Sequence, residues 1–407
     1  MTELNAILEA IQESQRTGKT AILATVVQVE GSAYRRPGAR MLLTEDGWRA
    51  GSVSGGCLES DLVERAWQLT ASGDPALLTY DTTEESDSIL GVGVGCRGVV
   101  RVLLERLAPG RAPDPIGFLR DCLQQRQAGA LVTVFSRGGA VQARVGARLL
   151  LHGDGRVSGD IQDAELAARA EQEARKALQG GRSEVRVFSL RAGMAAVFIE
   201  VVRPPLPLVV FGAGHDALPM VRLAKELGWH VTVVDARPAY ATRGRFPQAD
   251  DVVLCPPEAI QTRIPLDAET VALVMTHNYL QDQRLLEVLL PSPVRYLGIL
   301  GPRSRTRRLL GDLEAQGLIW TEKQLQRLYA PVGLDIGADG PEEIALAVLA
   351  EVQAVLTGRS GGSLRQRAGT IHGTGGAEPA MPGPHGSPRV SEDTISGAGV
   401  ACGRSVW

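Results

Sequence analysis

The stretch Leu208-Val209-Val210-Phe211-Gly212-Ala213-Gly214-His215-Asp216-Ala217 decides how the second half of this chain is read. An apolar run passes into G-x-G-x-x-A, and the apolar spacing from there to Leu227 predicts a helix. The next stretch, 229–235, reads as a strand ending in Asp235, 23 residues after Gly212. In such a unit the glycines let the backbone approach a pyrophosphate at the helix N-terminus, and the acid accepts from a ribose hydroxyl. Asp216 puts a negative charge into the first turn, where it competes with a phosphate. The alternation continues through strands 251–255, 270–276 and 294–301 and helices 279–290, 304–316 and 321–328. Pro341, Glu342 and Glu343 then open a last helix. The expectation is a Rossmann-like, doubly wound parallel sheet over 204–358, with Asp235, His277, Asn278 and Arg303 at strand ends facing the ligand crevice. His277 there reads either as a structural hydrogen-bonder or as an acid/base group.

Arg203-Pro204-Pro205-Leu206-Pro207 is a stiff linker, and 1–203 before it read as an N-terminal α/β domain. A helix 4–16, a strand 21–29, a turn at Asp46-Gly47 between strands 39–44 and 48–53, a helix 58–71 and a strand 99–105 form one unit. About 110 residues later the same grammar returns. Gly38-Ala39-Arg40-Met41-Leu42-Leu43 matches Gly146-Ala147-Arg148-Leu149-Leu150-Leu151, so the domain is an internal repeat with copies over about 1–110 and 115–203. The second copy lacks both glycine-rich cysteine loops of the first. Ser158-Gly159-Asp160-Ile161 is aligned with Ser54-Gly55-Gly56-Cys57, and Leu190-Arg191-Ala192-Gly193 with the Cys96 loop. A fold that tolerates their loss does not need these cysteines for packing. Cys57, after two glycines and before an acidic helix start, is placed where unpaired N–H groups favour a thiolate, a soft metal ligand or nucleophile. The alternative is a small hydrophobe at a tight turn. Arg35, Arg36 and Arg40 flank the first loop and read either as phosphate contacts or as a solvated face.

A length of 407 residues calls for two domains plus extras. Net charge −3 and a pI near 6.1 provide no basic field for nucleic acid. No run reaches a membrane span, and the N-terminus carries Glu3, Glu9 and Glu13 in place of a cationic leader. The five cysteines (57, 96, 122, 255 and 402) are scattered and odd in number. A reducing cytoplasm is therefore expected. From 359 to 407 the chain is Gly, Ser and Pro without apolar period and reads as a disordered tail.

Taken together, the segments 31–39, 51–59, 93–96, 212–217, 276–278, 298–303 and 330–337 resemble the XdhC/CoxI family. The resemblance implies an accessory protein that binds the molybdenum cofactor (molybdopterin) and protects it while a cysteine desulfurase replaces an oxo ligand by sulfur. It would then deliver the cofactor to a molybdenum hydroxylase apoenzyme of the xanthine or CO dehydrogenase type. Cys57 and Cys96 would stand near the metal. The residues expected to contact a cofactor are Arg35, Arg36, Gly55, Gly56, Cys57, Glu59, Cys96, Gly212, Gly214, His215, Asp235, His277, Arg303 and Asp335. NAD or another dinucleotide is a second expected ligand, and a homodimer the expected assembly. The strand-end crevice of the second half is expected to close over the Cys57 loop. Two other readings compete: an NAD-dependent oxidoreductase using Asp235 and His277, and a protein-binding scaffold with a vestigial Rossmann half.

Overall fold

Strand β1 (Ala21–Gly31) is buried along most of its length although it is antiparallel to both neighbours. The reason is that both of its faces are covered. Ile22, Ala24 and Val26 meet Leu58, Leu62 and Ala66 of the α2 region on one side, while Leu23, Thr25 and Val27 face a second sheet on the other. The first sheet runs β3-β2-β1-β5-β4, from β2 (Arg40–Thr44), β3 (Gly47–Gly51), β4 (Ala76–Asp81) and β5 (Gly98–Leu107). The second repeats that order as β8-β7-β6-β10-β9, from β6 (Gly129–Gly139), β7 (Arg148–Leu151), β8 (Val157–Gly159), β9 (Glu184–Leu190) and β10 (Gly193–Val202). Helices α2 (Glu59–Leu69) and α4 (Ala164–Gly180) cover the outer faces. Helices α1 (Thr2–Thr17) and α3 (Pro115–Gln124) share a core with both inner faces. The duplication expected from sequence is thus a pair of sheets of equal topology packed back to back.

The structure is a computed structural model that describes residues 2–82, 98–108 and 112–366. Cys96, its glycine loop and most of the tail lie outside the described residues. Residues Met1–Gly358 form one unit and Arg359–Trp407 another, whose described part contains one 3-10 turn, Leu364–Gln366.

Between the two sheets two ion pairs cross. Arg40 of the first copy pairs with Glu200 of the second, and Arg148 of the second with Glu105 of the first. All four side chains are at most 12% exposed. Each arginine also donates to the carbonyl of the glycine two residues before it, Gly38 or Gly146. Burial opposes the charge on Arg40, but Glu200 outweighs it and raises the guanidinium's affinity for its proton. Arg40, read from sequence either as a phosphate contact or as part of a solvated face, is instead part of this inner seam. The pairs line a cavity of about 240 Å³ together with the hydroxyl-bearing Thr25 and Thr133.

The second half is a six-stranded parallel sheet in the order β13-β12-β11-β14-β15-β16. Its strands are β11 (Pro207–Phe211), β12 (His230–Asp235), β13 (Asp251–Leu254), β14 (Val271–Val274), β15 (Tyr296–Ile299) and β16 (Leu328–Tyr329). The order reverses between β11 and β14, as a doubly wound sheet requires. Helices α5 (Ala217–Glu226) and α10 (Pro341–Thr357) cover one face. The other face is covered by α6 (Ile260–Arg263), α7 (Tyr279–Leu289) and α8 (Arg303–Ala315). The helix expected over 321–328 is only α9 (Glu322–Leu325), held by a Thr321 capping box. Leu328–Tyr329 leave it as an edge strand, because Tyr329 stacks on Tyr296 at 4.3 Å.

Removing one partner of a crossed pair strands a buried charge. Arg148→Ala or Glu105→Ala should therefore destabilise the first half by about 3–5 kcal/mol. The double replacement Arg148→Met with Glu105→Leu should recover most of that loss in calorimetric unfolding.

Candidate functional site

The chain offers two places where sequence-marked residues gather, the Cys57 loop of the first copy and the strand-end crevice of the parallel sheet. In the register of the two copies Met41 pairs with Gly51, and Leu149 with Gly159. Ser52 is therefore the counterpart of Asp160, a correction to the alignment of Gly56 with Asp160 expected from sequence. The first copy then takes residues 52–58 to reach its helix, and the second only 160–163. The cysteine sits in an insertion.

That insertion is held by Glu59. Its buried carboxylate accepts from the N–H groups of Val53, Ser54 and Gly56 and from the Ser54 hydroxyl. The Ser54 Oγ accepts in turn from the N–H groups of Gly56 and Leu58 and lies 3.4 Å from the Cys57 Sγ. Helix α2 begins at Glu59, not at Leu58, and Leu58 at its N-cap has no side chain to cap it. In the second copy Asp163 does that work by accepting from the Leu166 N–H. The N–H groups expected to stabilise a Cys57 thiolate are thus largely engaged by Ser54 and Glu59. Glu59, expected as a cofactor contact, braces the loop from beneath. Burial works against its ionisation, yet the Ser54 hydroxyl and the loop N–H groups prevail and hold its pKa below the usual glutamate value. Cys57 remains a free, half-buried thiol.

Around the loop, Arg35 pairs with Glu3 and donates to the Ser52 hydroxyl, and Glu3 also accepts from the Ser52 N–H. Arg35 is therefore committed to positioning the loop's start, and Arg36 is exposed. Sequence reasoning missed Glu3 and Ser54. The serine five residues before a glutamate was the available signal, while Glu3 lies on a helix far away in sequence. Cys96 lies outside the described residues. Among those described, no three His, Cys, Asp or Glu side chains converge to hold a metal ion.

In the crevice, Gly212 (φ +113°) is required by packing, because a Cβ there would come within 2.4 Å of the Met275 carbonyl oxygen. Asp235 is buried, and its carboxylate accepts from the N–H groups of Ala213 and Arg237 and from the Arg237 guanidinium. Burial raises its pKa and these donors outweigh burial, so the carboxyl stays below its usual value. Arg237 also lies 3.7 Å over the Tyr240 ring. Asp216 meets His277 Nε2 at 2.7 Å, and His277 holds a left-handed φ of +56°. Gly214 packs beside Asp216. His215, Arg303 and Asp335 are exposed. The cavity beneath the strand ends holds about 20 Å³, too little for a nucleotide. Among the described residues no hydrogen bond or ion pair joins 1–203 to 207–358, so the expected closure of the crevice over the Cys57 loop is not formed by such contacts.

Comparison with known proteins follows the same division. The XdhC and CoxI family matches residues 14–81 and 122–189, one stretch in each copy, and the XdhC Rossmann domain matches 208–352. The chain is 35% identical to a Bacillus subtilis protein named as a probable xanthine dehydrogenase subunit, over 86% of this chain and 97% of that one. It is 26% identical to the Escherichia coli molybdenum cofactor insertion chaperone PaoD, over 86% of this chain and 87% of that one. A crystal structure described as a xanthine dehydrogenase from Bacillus halodurans superposes with a TM-score of 0.70 at 30% identity, covering 87% of this chain and 96% of that one.

Because the folded-state pKa of Glu59 lies below its ordinary value of 4.5, its brace contributes stability at neutral pH that is lost as pH falls through the folded value. Glu59→Gln should cost about 1–3 kcal/mol at pH 7. The difference in melting temperature from wild type should shrink progressively as the pH is taken below that ordinary value.

Proposed function

This chain belongs to the XdhC and CoxI family, and from that premise we propose that it binds the molybdenum cofactor as cargo and hands it to a molybdenum hydroxylase. The observation that carries this reading is the Cys57 insertion. One copy of a duplicated scaffold keeps a braced loop with a reachable thiol, and the other copy folds on the same topology without it. Molybdenum in the cofactor brings its own dithiolene sulfurs, so the protein need not form a cage of several ligands. A single soft thiolate suits an open position on such a metal. The brace from Ser54 and Glu59 fixes where that sulfur points, and Arg36 offers charge for the cofactor's phosphate.

The finer proposal includes the sulfuration step. While the cargo is held, a cysteine desulfurase replaces an oxo ligand by sulfur, and the loaded protein then docks on the apoenzyme. A cytoplasmic setting and a homodimer belong to the same proposal. The second half supports a dehydrogenase less well. Asp235 already accepts from four donors, close to the capacity of a carboxylate. A ribose diol would have to displace Arg237.

The test is delivery. Cofactor-loaded protein should activate an inactive molybdenum hydroxylase, and Cys57→Ser should lower both retained molybdenum and activation at least tenfold with an unchanged melting temperature. Full delivery by the Cys57→Ser protein, or steady NAD reduction by this chain alone that is lost on His277→Ala, would contradict the proposal.

A further inference from the structure

Tyr34 is 71% exposed. It is not a loose side chain. Its ring lies across Gly55 of the cysteine loop, so that a methyl placed on Gly55 would sit 3.5–3.6 Å from three ring carbons. One face of the ring is therefore supported by the loop that carries Cys57, and its hydroxyl has no hydrogen-bond partner among the described residues. In the second copy the position belongs to Gln142, four residues before Gly146 as Tyr34 is before Gly38.

The same comparison separates Arg36 from its counterpart. Arg144, two residues before Gly146, is neutralised by Asp160, which also accepts from the Arg148 N–H. The first copy has Ser52 where the second has Asp160, and the Ser52 hydroxyl is taken by Arg35. Arg36 thus keeps the backbone position that lets Arg144 reach the start of the following loop, and it has lost the carboxylate waiting there. It has no side-chain partner among the described residues. A supported aromatic face, an unneutralised cation and a thiol are all specific to one copy and all belong to one loop cluster.

We propose that Tyr34 and Arg36 form a recognition subsite for a planar heteroaromatic ring that carries a phosphate, with the ring stacked on Tyr34 and the phosphate on Arg36. This rests on the reading of the Cys57 loop as the cargo site and assigns the organic half of the cargo to residues distinct from the sulfur. Stacking uses the π-face, so the ring, not the hydroxyl, is the determinant. Arg36 discriminates by charge and bidentate geometry.

The experiment uses the full chain and two fluorescent probes, 6-hydroxymethylpterin and its phosphate monoester. Wild type should bind both and prefer the ester. Tyr34→Ala should weaken both by about 5- to 150-fold, the range a lost stacking partner gives. Tyr34→Phe should retain wild-type affinity, and Arg36→Ala should abolish only the preference for the ester. Unchanged affinities in Tyr34→Ala, or an ester preference that survives Arg36→Ala, overturn this inference while leaving the cargo reading intact. If wild type binds neither probe but retains molybdenum through Cys57, the subsite falls alone; if it binds neither probe and retains no molybdenum, the cargo reading falls with it. Because Tyr34 is exposed, melting temperature should not move in any of the three variants.

Discussion

Two guanidinium groups lie between the sheets of the first half, and each is neutralised by a carboxylate from the other copy. Burying four charges is costly unless every one is paired, and here neither copy contains its own partner. Arg40 needs Glu200 and Arg148 needs Glu105, so the two copies are coupled in one register. A slip of one residue in either sheet would turn its arginine to the outer face, against helix α2 or α4. The seam is made by side chains of the strands and not by those of the loops that follow Gly51 and Gly159, and those loops are free to differ. That freedom is what the first copy uses: the same strand order ends in a longer segment with Ser54, Cys57 and Glu59 where the second copy goes directly into its helix.

The parallel half shows the reverse relation between motif and ligand. Its glycine signature is required by the fold, since Gly212 must pass close to the Met275 carbonyl. Asp235 is likewise engaged by Ala213 and Arg237. A dinucleotide fingerprint can therefore persist for packing, and what a fold can bind has to be argued from the groups left unsatisfied. In the first half such groups are at hand around Cys57; in the second the acid at the end of β12 is already saturated.

Much of this was legible in the chain itself. Alternation of apolar strands and helices indicated the parallel sheet, and the matched runs around Arg40 and Arg148 indicated the duplication. The seam was not legible, because Arg40 and Glu200 are 160 residues apart and only the packing of the sheets brings them together. The same gap made Arg40 look like a loop cation. The copy-to-copy alignment failed at the cysteine loop because it matched Ser54-Gly55 to Ser158-Gly159 and so put the difference in length before the loop, while strand pairing makes Gly51 the counterpart of Gly159 and puts the insertion after it. Helix 321–328 was overextended for a local reason: helix propensity carries past Leu325, but Tyr329 gains more by stacking on Tyr296 in the sheet. Glu59 was expected to contact a cofactor and its carboxylate turns back under the loop instead, a direction that sequence alone could not give.

If function resides in the insertion and not in the scaffold, a loop exchange tests that division most directly. Residues 52–58 would be replaced by the sequence of 160–163, and the protein purified from a molybdenum-replete host for elemental analysis of molybdenum and fluorimetry of oxidised pterin. Wild type should carry both and the exchanged protein neither, while the exchanged protein should still unfold cooperatively on its crossed ion pairs, at a melting temperature lowered by the loss of the Glu59 brace and of the buried Val53 and Leu58. An exchanged protein that retains the wild-type amount of molybdenum and pterin would contradict that division.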